Sequence, residues 1–366
     1  MMDKQHTVFL FCSGIDNVLL GSSKVAGIQV QMSFWARTFA KHGWRVLSFS
    51  DNKNVRSVEG IDFVKKTTSK LLSTLHLIII LDLLDCIRCT KTNPEIIIVR
   101  GASRSHYFLS KVCRKKGITL LFFGASDSDF VPGKEIVGGS SMNRKLFQKA
   151  IKSIDFFITQ NKAQHDSLKQ HYNKESQIIP NIWIPSQNRD SKKKYDAVWI
   201  SNLWSVKRAE WFVELAKHFP NYQFAIVGGA SHRNYYDSIE RQASEVNNLS
   251  FLGAQPFDTV NAILSESRIL VCTSEFEGFP NTFLQAWAQS VPIVSTVNPS
   301  GLLTDNNLGF VVEDKESLQS KTELLLNDAE LYDGFVRNIE QYFLEHHSAD
   351  VAFDKLIGLI NYNSEK

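Results

Sequence analysis

A chain of 366 residues, 43% hydrophobic and 22% charged, has ordinary globular composition and the length of two domains. No apolar run reaches the roughly 18 residues that span a bilayer; the nearest, residues 71–87 (LLSTLHLIIILDLLDCI), is interrupted by His76, Asp82 and Asp85 and reads as a buried helix. The net charge of +3 hides an asymmetry: Lys and Arg outnumber Asp and Glu 26 to 14 over residues 1–180, and the balance reverses to 15 against 24 over 181–366.

A basic half suits an anionic partner, and equally two domains that attract each other. No aromatic-basic or helix-turn-helix pattern points to nucleic acid. The five scattered cysteines, Cys12, Cys86, Cys89, Cys113 and Cys272, fit reduced thiols. The single CxxC of Cys86 and Cys89 lacks a second pair or nearby histidines for a zinc site. The N-terminus runs straight into a strand-like stretch without a signal-peptide layout, which reads as cytoplasmic.

In chain order, TVFLFC (7–12) predicts a strand, followed by a small-residue loop. Residues 28–42 carry Ile28, Met32, Trp35, Ala36, Phe39 and Ala40 at helical period, and Gly43 stops that helix. Strands follow at 45–50, 95–100, 118–123 and 155–159, with a helix near 103–116. The strands are continuous apolar runs, as in a parallel sheet covered on both faces. Residues 178–194 (IIPNIWIPSQNRDSKKK) read as a connection. The pattern then restarts, with strands at 195–200, 222–229, 249–253, 268–273 and 291–296, a helix at 207–218, and closing helices near 316–327, 329–344 and 349–360. Two successive βα sheets predict an α/β chain of two doubly wound Rossmann-like domains. The expected division is 1–178 with 348–366, and 179–347. Strand-end crevices of two such domains facing across a cleft would suit a two-substrate reaction.

The stretch SEFEGFPNTFLQAWAQSVPIVST (274–296) joins a strand to a helix through acids, Gly278, Pro280 and Asn281. A helix N-terminus carries unpaired N–H groups and partial positive charge, so it can hold a phosphate. Gly278 allows close backbone approach. Pro280 suits the first turn, where an N–H is spare, leaving the amides of Asn281 and Thr282 for an anion. Glu277 could accept hydroxyls of a sugar. A plain capped helix with acids near its positive end accounts for the same residues. Taken alone, Lys207 reads as a solvated helix-start lysine.

EGFPNTFLQA (277–286) resembles the signature of the family-4 glycosyltransferases of the GT-B fold, a Glu, seven residues, then a second Glu, with Gln285 in the second place. Other pieces match in order: AGIQVQMSFWARTFAKHGWRV (26–46), NPEIIIVRG (93–101), IIPN (178–181), AIVGGA (225–230), LSFLGAQ (249–255) and SVPIVST (290–296). The resemblance implies a GT-B fold whose C-terminal helix packs back on the first domain. It also implies retaining, metal-independent transfer from a nucleotide sugar. The family's diphosphate-binding Arg and Lys fall on Asn202 and Lys207, so the Arg is replaced; Arg208 is adjacent but points about 100° away on a helix. Gln285 offers the ribose a neutral carbonyl in place of a carboxylate.

The donor site implied by the resemblance comprises Asn202, Lys207, Gly228, Gln255, Glu277, Gly278, Phe279, Asn281, Thr282 and Gln285, with the base meeting the backbone near Ala254 and Gln255. On the acceptor side stand Gly27, Arg100, Ser126 and Asp127, where many relatives carry a His-Asp pair, while Arg104 and Lys24 could face an anionic acceptor. Glu277, Lys207 and Asp127 are the expected catalytic residues. The triplet Asp127-Ser128-Asp129 also resembles the metal-binding DxD of GT-A glycosyltransferases, against which the two Rossmann-like halves speak. The expected partners are a nucleotide sugar, UDP- or GDP-linked, and a glycan or polyprenyl-diphosphate-linked acceptor for a surface polysaccharide such as capsule or O-antigen. An anionic inner membrane face would attract the basic half. No cofactor or metal is expected. A nucleotide-sugar epimerase or phosphorylase of the same fold, or a non-catalytic nucleotide-sugar binder, are the competing readings.

Overall fold

The structure is a computed structural model and describes residues 5–22, 26–68, 78–135, 137, 141–185, 192–277 and 279–364. Lys24, Gly278, the first part of the 71–87 run and the middle of the expected connection lie outside the described residues. The chain divides into two compact units, Met1–Ile182 with Ala349–Lys366, and Trp183–Ser348.

Unit 1 is built on eight strands: β1 (Thr7–Ser13), β2 (Arg45–Ser50), β3 (Ser57–Val58), β4 (Ile61–Lys65), β5 (Ile96–Arg100), β6 (Thr119–Phe123), β7 (Phe156–Thr159) and β8 (Gln177–Ile178). Their order is β3-β4-β2-β1-β5-β6-β7-β8. All neighbours pair in parallel except β3 and β4, so the sheet is mixed at one edge rather than wholly parallel. The apolar runs are buried on both faces: Phe9 lies opposite Ile97, and Ile97 opposite Leu120, all fully buried. Phe122, Phe130, Phe147 and Phe157 complete one side of that core.

Helix Gly27–Lys41 buries Met32, Trp35, Ala36 and Phe39 of the expected face but leaves Ile28 exposed and Ala40 half-buried; it also buries Val30, Gln31, Ser33, Phe34 and Thr38, so it is enclosed on more than one side. The final helix, Ala349–Ser364, packs on it: Phe353 meets the rings of Phe39 and His42, and Asp350 pairs with Lys41 at 2.6 Å. The chain end thus belongs to the first unit, as the resemblance implied.

Helix Ile78–Lys91 differs from expectation. It buries Asp85, Cys86, Cys89 and Thr90 and leaves Ile79, Ile80, Leu84 and Ile87 exposed, so it is not a buried helix. Hydropathy counts apolar residues; it does not say which side of the helix meets the sheet.

Unit 2 has six strands: β9 (Tyr195–Ile200), β10 (Phe224–Val227), β11 (Leu249–Gly253), β12 (Ser267–Cys272), β13 (Ile293–Ser295) and β14 (Gly309–Val311). The order β11-β10-β9-β12-β13-β14 is parallel throughout. Numbered within the unit this is 3-2-1-4-5-6, the doubly wound order in which the succession of strands, not their direction, reverses between β9 and β12. In unit 1, β4-β2-β1-β5-β6-β7 repeats it, with the reversal between β1 and β5.

Candidate active site at the strand reversal of unit 2

Ligands of open α/β sheets bind beyond the carboxyl ends of the strands, where the order reverses. In unit 2 that point lies between the segments leaving β9 and β12. The first carries Asn202 and Lys207, the second Glu277. The structure joins them: Lys207 Nζ donates to Glu277 Oε1 at 2.5 Å, and Ser274 Oγ donates to the same oxygen at 2.8 Å. Both charged side chains keep nearly a fifth of their surface open, 18% and 19%. The ammonium has three donors and spends one here. Glu277 Oε2 remains as an acceptor.

The two segments are stitched together by groups that sequence reasoning missed. Thr273 Oγ1 accepts from the buried indole Nε1 of Trp199 at 2.9 Å and donates toward Lys207 O at 2.7 Å and Arg208 O at 2.9 Å. Arg208 Nε and Nη2 donate to Thr273 O and Ser274 O at 2.7 and 3.2 Å, while its guanidinium stacks 4.2 Å from the Trp211 ring. The backbone closes the join, Glu275 N donating to Val206 O at 2.8 Å. Arg208 is therefore not a helical neighbour of Lys207. Lys207 ends a short 3-10 turn, Ser205–Lys207, and Arg208 is left-handed, with φ 49°, before helix Ala209–His218. Its αL backbone turns it toward the 273–274 carbonyls. The only signal was its place between two periodic segments.

Helix Asn281–Trp287 follows Glu277. Pro280 is its N-cap, with φ −67° and ψ 118°, rather than a residue of its first turn. Among the described residues no side chain caps the amides there. Asn281 and Thr282 are thus its first two residues, as an anion site needs. Phe279 is partly exposed and its ring lies edge-on to buried Trp287. Gln285 is buried, and its amide group donates to Asn261 Oδ1 at the long limit of 3.5 Å, leaving the carbonyl oxygen as its acceptor.

Asn202 is exposed, and its Oδ1 would lie 3.5 Å from a Cβ on Gly229. At Gly228 a Cβ would fall 1.7 Å from Ser201 O, so glycine lets the ends of β9 and β10 touch. Gln255 folds back, Nε2 donating to Leu252 O at 2.6 Å, so its side chain is occupied at the end of β11.

The expected acceptor residues gather at the reversal of unit 1. Gly27 opens its helix after β1, and Arg100 ends β5. A Cβ on Gly101 would lie 3.3 Å from both Ile28 Cδ1 and Ala125 Cβ, which measures how near these three segments come. Arg100 donates to Asn181 Oδ1 at 2.7 Å, and its buried Nε has no hydrogen-bond partner among the described residues. Burial lowers its pKa to about 10, against the pull of Asp129 and Cys12. Burial likewise pushes the Cys12 thiol up to about 12, despite Lys66 and Arg100 nearby.

Ser126 caps the 3-10 turn Asp127–Phe130, accepting from Ser128 N. The exposed Asp127 carboxylate accepts from Gln164 Nε2 at 3.0 Å and Asn161 Nδ2 at 3.3 Å. Asp129 is buried, and accepts from Ala125 N and Ser126 N at 2.7 and 3.1 Å. Burial raises its pKa against those bonds. The DxD aspartates are thus spent on different partners, and among the described residues no group of three His, Cys, Asp or Glu side chains could hold a metal. Arg104 pairs with Asp82 at 2.7 Å. The CxxC thiols are buried, where desolvation pushes both pKa values up.

Residues 194–328 match the sequence model of the family described as Glycosyl transferases group 1. An O-antigen biosynthesis glycosyltransferase of Escherichia coli, WbnH, is 27% identical over 173 residues, 45% of this chain and 48% of that protein. An uncharacterized glycosyltransferase of Methanocaldococcus jannaschii is 24% identical over 167 residues, 40% of each chain. The matched region thus spans less than half the length of these curated relatives. Sucrose-phosphate synthase from Thermosynechococcus elongatus superposes with a TM-score of 0.67 at 14% identity, over 99% of this chain and 100% of that one. The chain has the GT-B fold, and the residues that match the glycosyl transferases group 1 model lie within its second unit.

Proposed function

We propose that the chain moves a sugar from a nucleoside-diphosphate donor to a glycan or polyprenyl-diphosphate-linked glycan, without a metal ion and with retention at the anomeric carbon. The observation that carries this reading is the Lys207–Glu277 pair at the strand reversal of unit 2, beside the uncapped start of helix Asn281–Trp287. Retention rests on the resemblance to family-4 enzymes, and surface-polysaccharide assembly on the likeness to WbnH.

Leaving-group charge is the main barrier to glycosyl transfer, because the bond to the anomeric carbon breaks as the diphosphate departs. Lys207 has two donors to offer phosphate oxygens, and the amides of Asn281 and Thr282 supply more. Glu277 Oε2 would accept a sugar hydroxyl. Gln285 would accept from the ribose, and its neutral bond costs about 1 kcal/mol relative to a carboxylate. Asn202 contributes no charge, so Lys207 bears more of the leaving group. Ser126, Asp127, Gly27 and Arg100 form the acceptor side in this reading.

The test is a thermal-shift screen of UDP-, GDP- and other nucleotide sugars, followed by transfer assays. A donor at 100 times its Kd adds about 2.7 kcal/mol to stability. Lys207→Ala should weaken that donor by about 10- to 100-fold, the worth of a charge-assisted bond, and Glu277→Ala should abolish turnover. Turnover that survives both substitutions, or that chelators abolish, would overturn the proposal. A binding-only role is the second reading, favoured by the neutral Asn202 and Gln285. It would be supported by donor binding without transfer or hydrolysis.

A further inference from the structure

Helix Ile78–Lys91 wears its polar side inward. Asp85 accepts from Thr67 N at 2.8 Å, and Cys86, Cys89 and Thr90 are buried with it. On the opposite side Ile80, Leu84 and Ile87, spaced by four and three, form one stripe that is 40%, 38% and 43% exposed. Lys91, four residues further, continues the stripe, and Arg88 flanks it. An aliphatic stripe facing solvent is the reverse of an ordinary surface helix.

The surroundings carry one sign of charge. Helix Ser105–Lys116 packs beside this helix, and helix Ser141–Ile151 beside that. Exposed on the first of these are Lys111, Arg114 and Lys115. Among the described residues of all three helices the only carboxylates are Asp82 and Asp85. Asp82 is paired with Arg104, and Asp85 is buried. Met142, at the start of the third helix, adds another exposed apolar side chain, at 59%.

We infer that this face of unit 1 docks on an anionic lipid bilayer, the Ile80–Leu84–Ile87 stripe entering the headgroup boundary and the basic side chains meeting lipid phosphates. Amphipathic helices lying in the interface bind in this way, through apolar area plus attraction to anionic headgroups. No helix among the described residues is long and apolar enough to cross a membrane, so the contact would be peripheral. A second copy is a poor occupant, because pairing two such faces would set basic side chain against basic side chain. The inference concerns unit 1 alone and does not depend on the proposed transfer reaction.

The experiment is co-sedimentation of the full chain with vesicles of phosphatidylcholine alone, and with phosphatidylglycerol added. Binding should appear with the anionic vesicles, and weaken as salt is raised. The triple variant Ile80→Ser, Leu84→Ser, Ile87→Ser should bind about tenfold more weakly or worse, since each loses buried apolar area. These side chains are exposed, so its melting should match the parent. A second variant, Lys111→Gln, Arg114→Gln, Lys115→Gln, should lose roughly fivefold for each charge that approaches the surface. It decides the matter alone if the first does not fold. Equal binding to neutral vesicles, undiminished binding by the folded triple serine variant, or a parent dimer that this variant converts to a monomer would each overturn the inference.

Discussion

Thr273 is the residue on which the site's geometry turns. Its hydroxyl accepts from the indole of Trp199, a fully buried side chain on β9, and its one proton lies within reach of two carbonyls of the segment that presents Lys207. Thr273→Val keeps the shape and removes the oxygen. The buried indole N–H, and whichever carbonyl takes the hydroxyl's one proton, would then lose their partner, at a cost of about 1–3 kcal/mol. Thr273→Ser should recover most of that. Urea unfolding of the two variants checks the claim, and a Val variant as stable as the parent would remove the hydroxyl from this role. Arg208 acts on the same join from the other side. Lys in its place could neither fork to two carbonyls nor stack on Trp211, so Arg208→Lys should behave as a loss rather than a conservative change. Lys207 and Glu277 stood out in the sequence because they fall in a spaced signature. Thr273 and Arg208 did not, because their roles come from a tertiary meeting of two loops and, for Arg208, from a left-handed backbone.

At the scale of elements, the strands were the legible part. Runs such as EIIIVR and RILVCT bury nearly every side chain, and only a sheet covered on both faces does that. The short edge strands β3 and β14 were not read from the sequence: β3 is two residues with no apolar run, and β14 is three residues in a run, 308–312, that Gly309 interrupts. Helix Ile78–Lys91 was legible as a helix but not in its facing. Two glycines give this scale its prediction. Gly228→Ala would place a methyl 1.7 Å from Ser201 O, and backbone cannot swing aside as a side chain can. The ends of β9 and β10 would have to part, for a loss of about 3 kcal/mol or more in unit 2. Gly358, inside helix Ala349–Ser364, has nothing within 4 Å of its would-be Cβ. Gly358→Ala should stabilise unit 1 by about 0.5–1 kcal/mol through helix propensity. Melting curves of the pair should move in opposite directions; movement in the same direction would refute the distinction.

At the scale of the whole molecule, two units with separate cores need not unfold as one, so pH can act on them unequally. His106 lies in the core of unit 1, 3% exposed, between the rings of Phe122 and Phe147. Burial lowers its pKa from 6.5 to about 3. The unfolded chain takes up that proton near its ordinary pKa and the folded chain only near 3, so across this window the unfolded state binds one proton more. The stability His106 confers by staying neutral is complete above the unfolded pKa and drains away as pH falls, by about 1.4 kcal/mol per pH unit. Asp129 in the same unit opposes this, since burial raises its carboxyl pKa and the folded state takes up its proton first. A difference measurement separates the two. His106→Leu should remove one proton's worth of acid sensitivity from unit 1 and leave the Asp129 contribution in place. Hydrogen exchange at the β6 amides, followed in parent and variant at about pH 7 and about pH 4.5, reads unit 1 directly. The parent should lose more protection on acidification than the variant; equal losses would mean that His106 already carries its proton in the folded core.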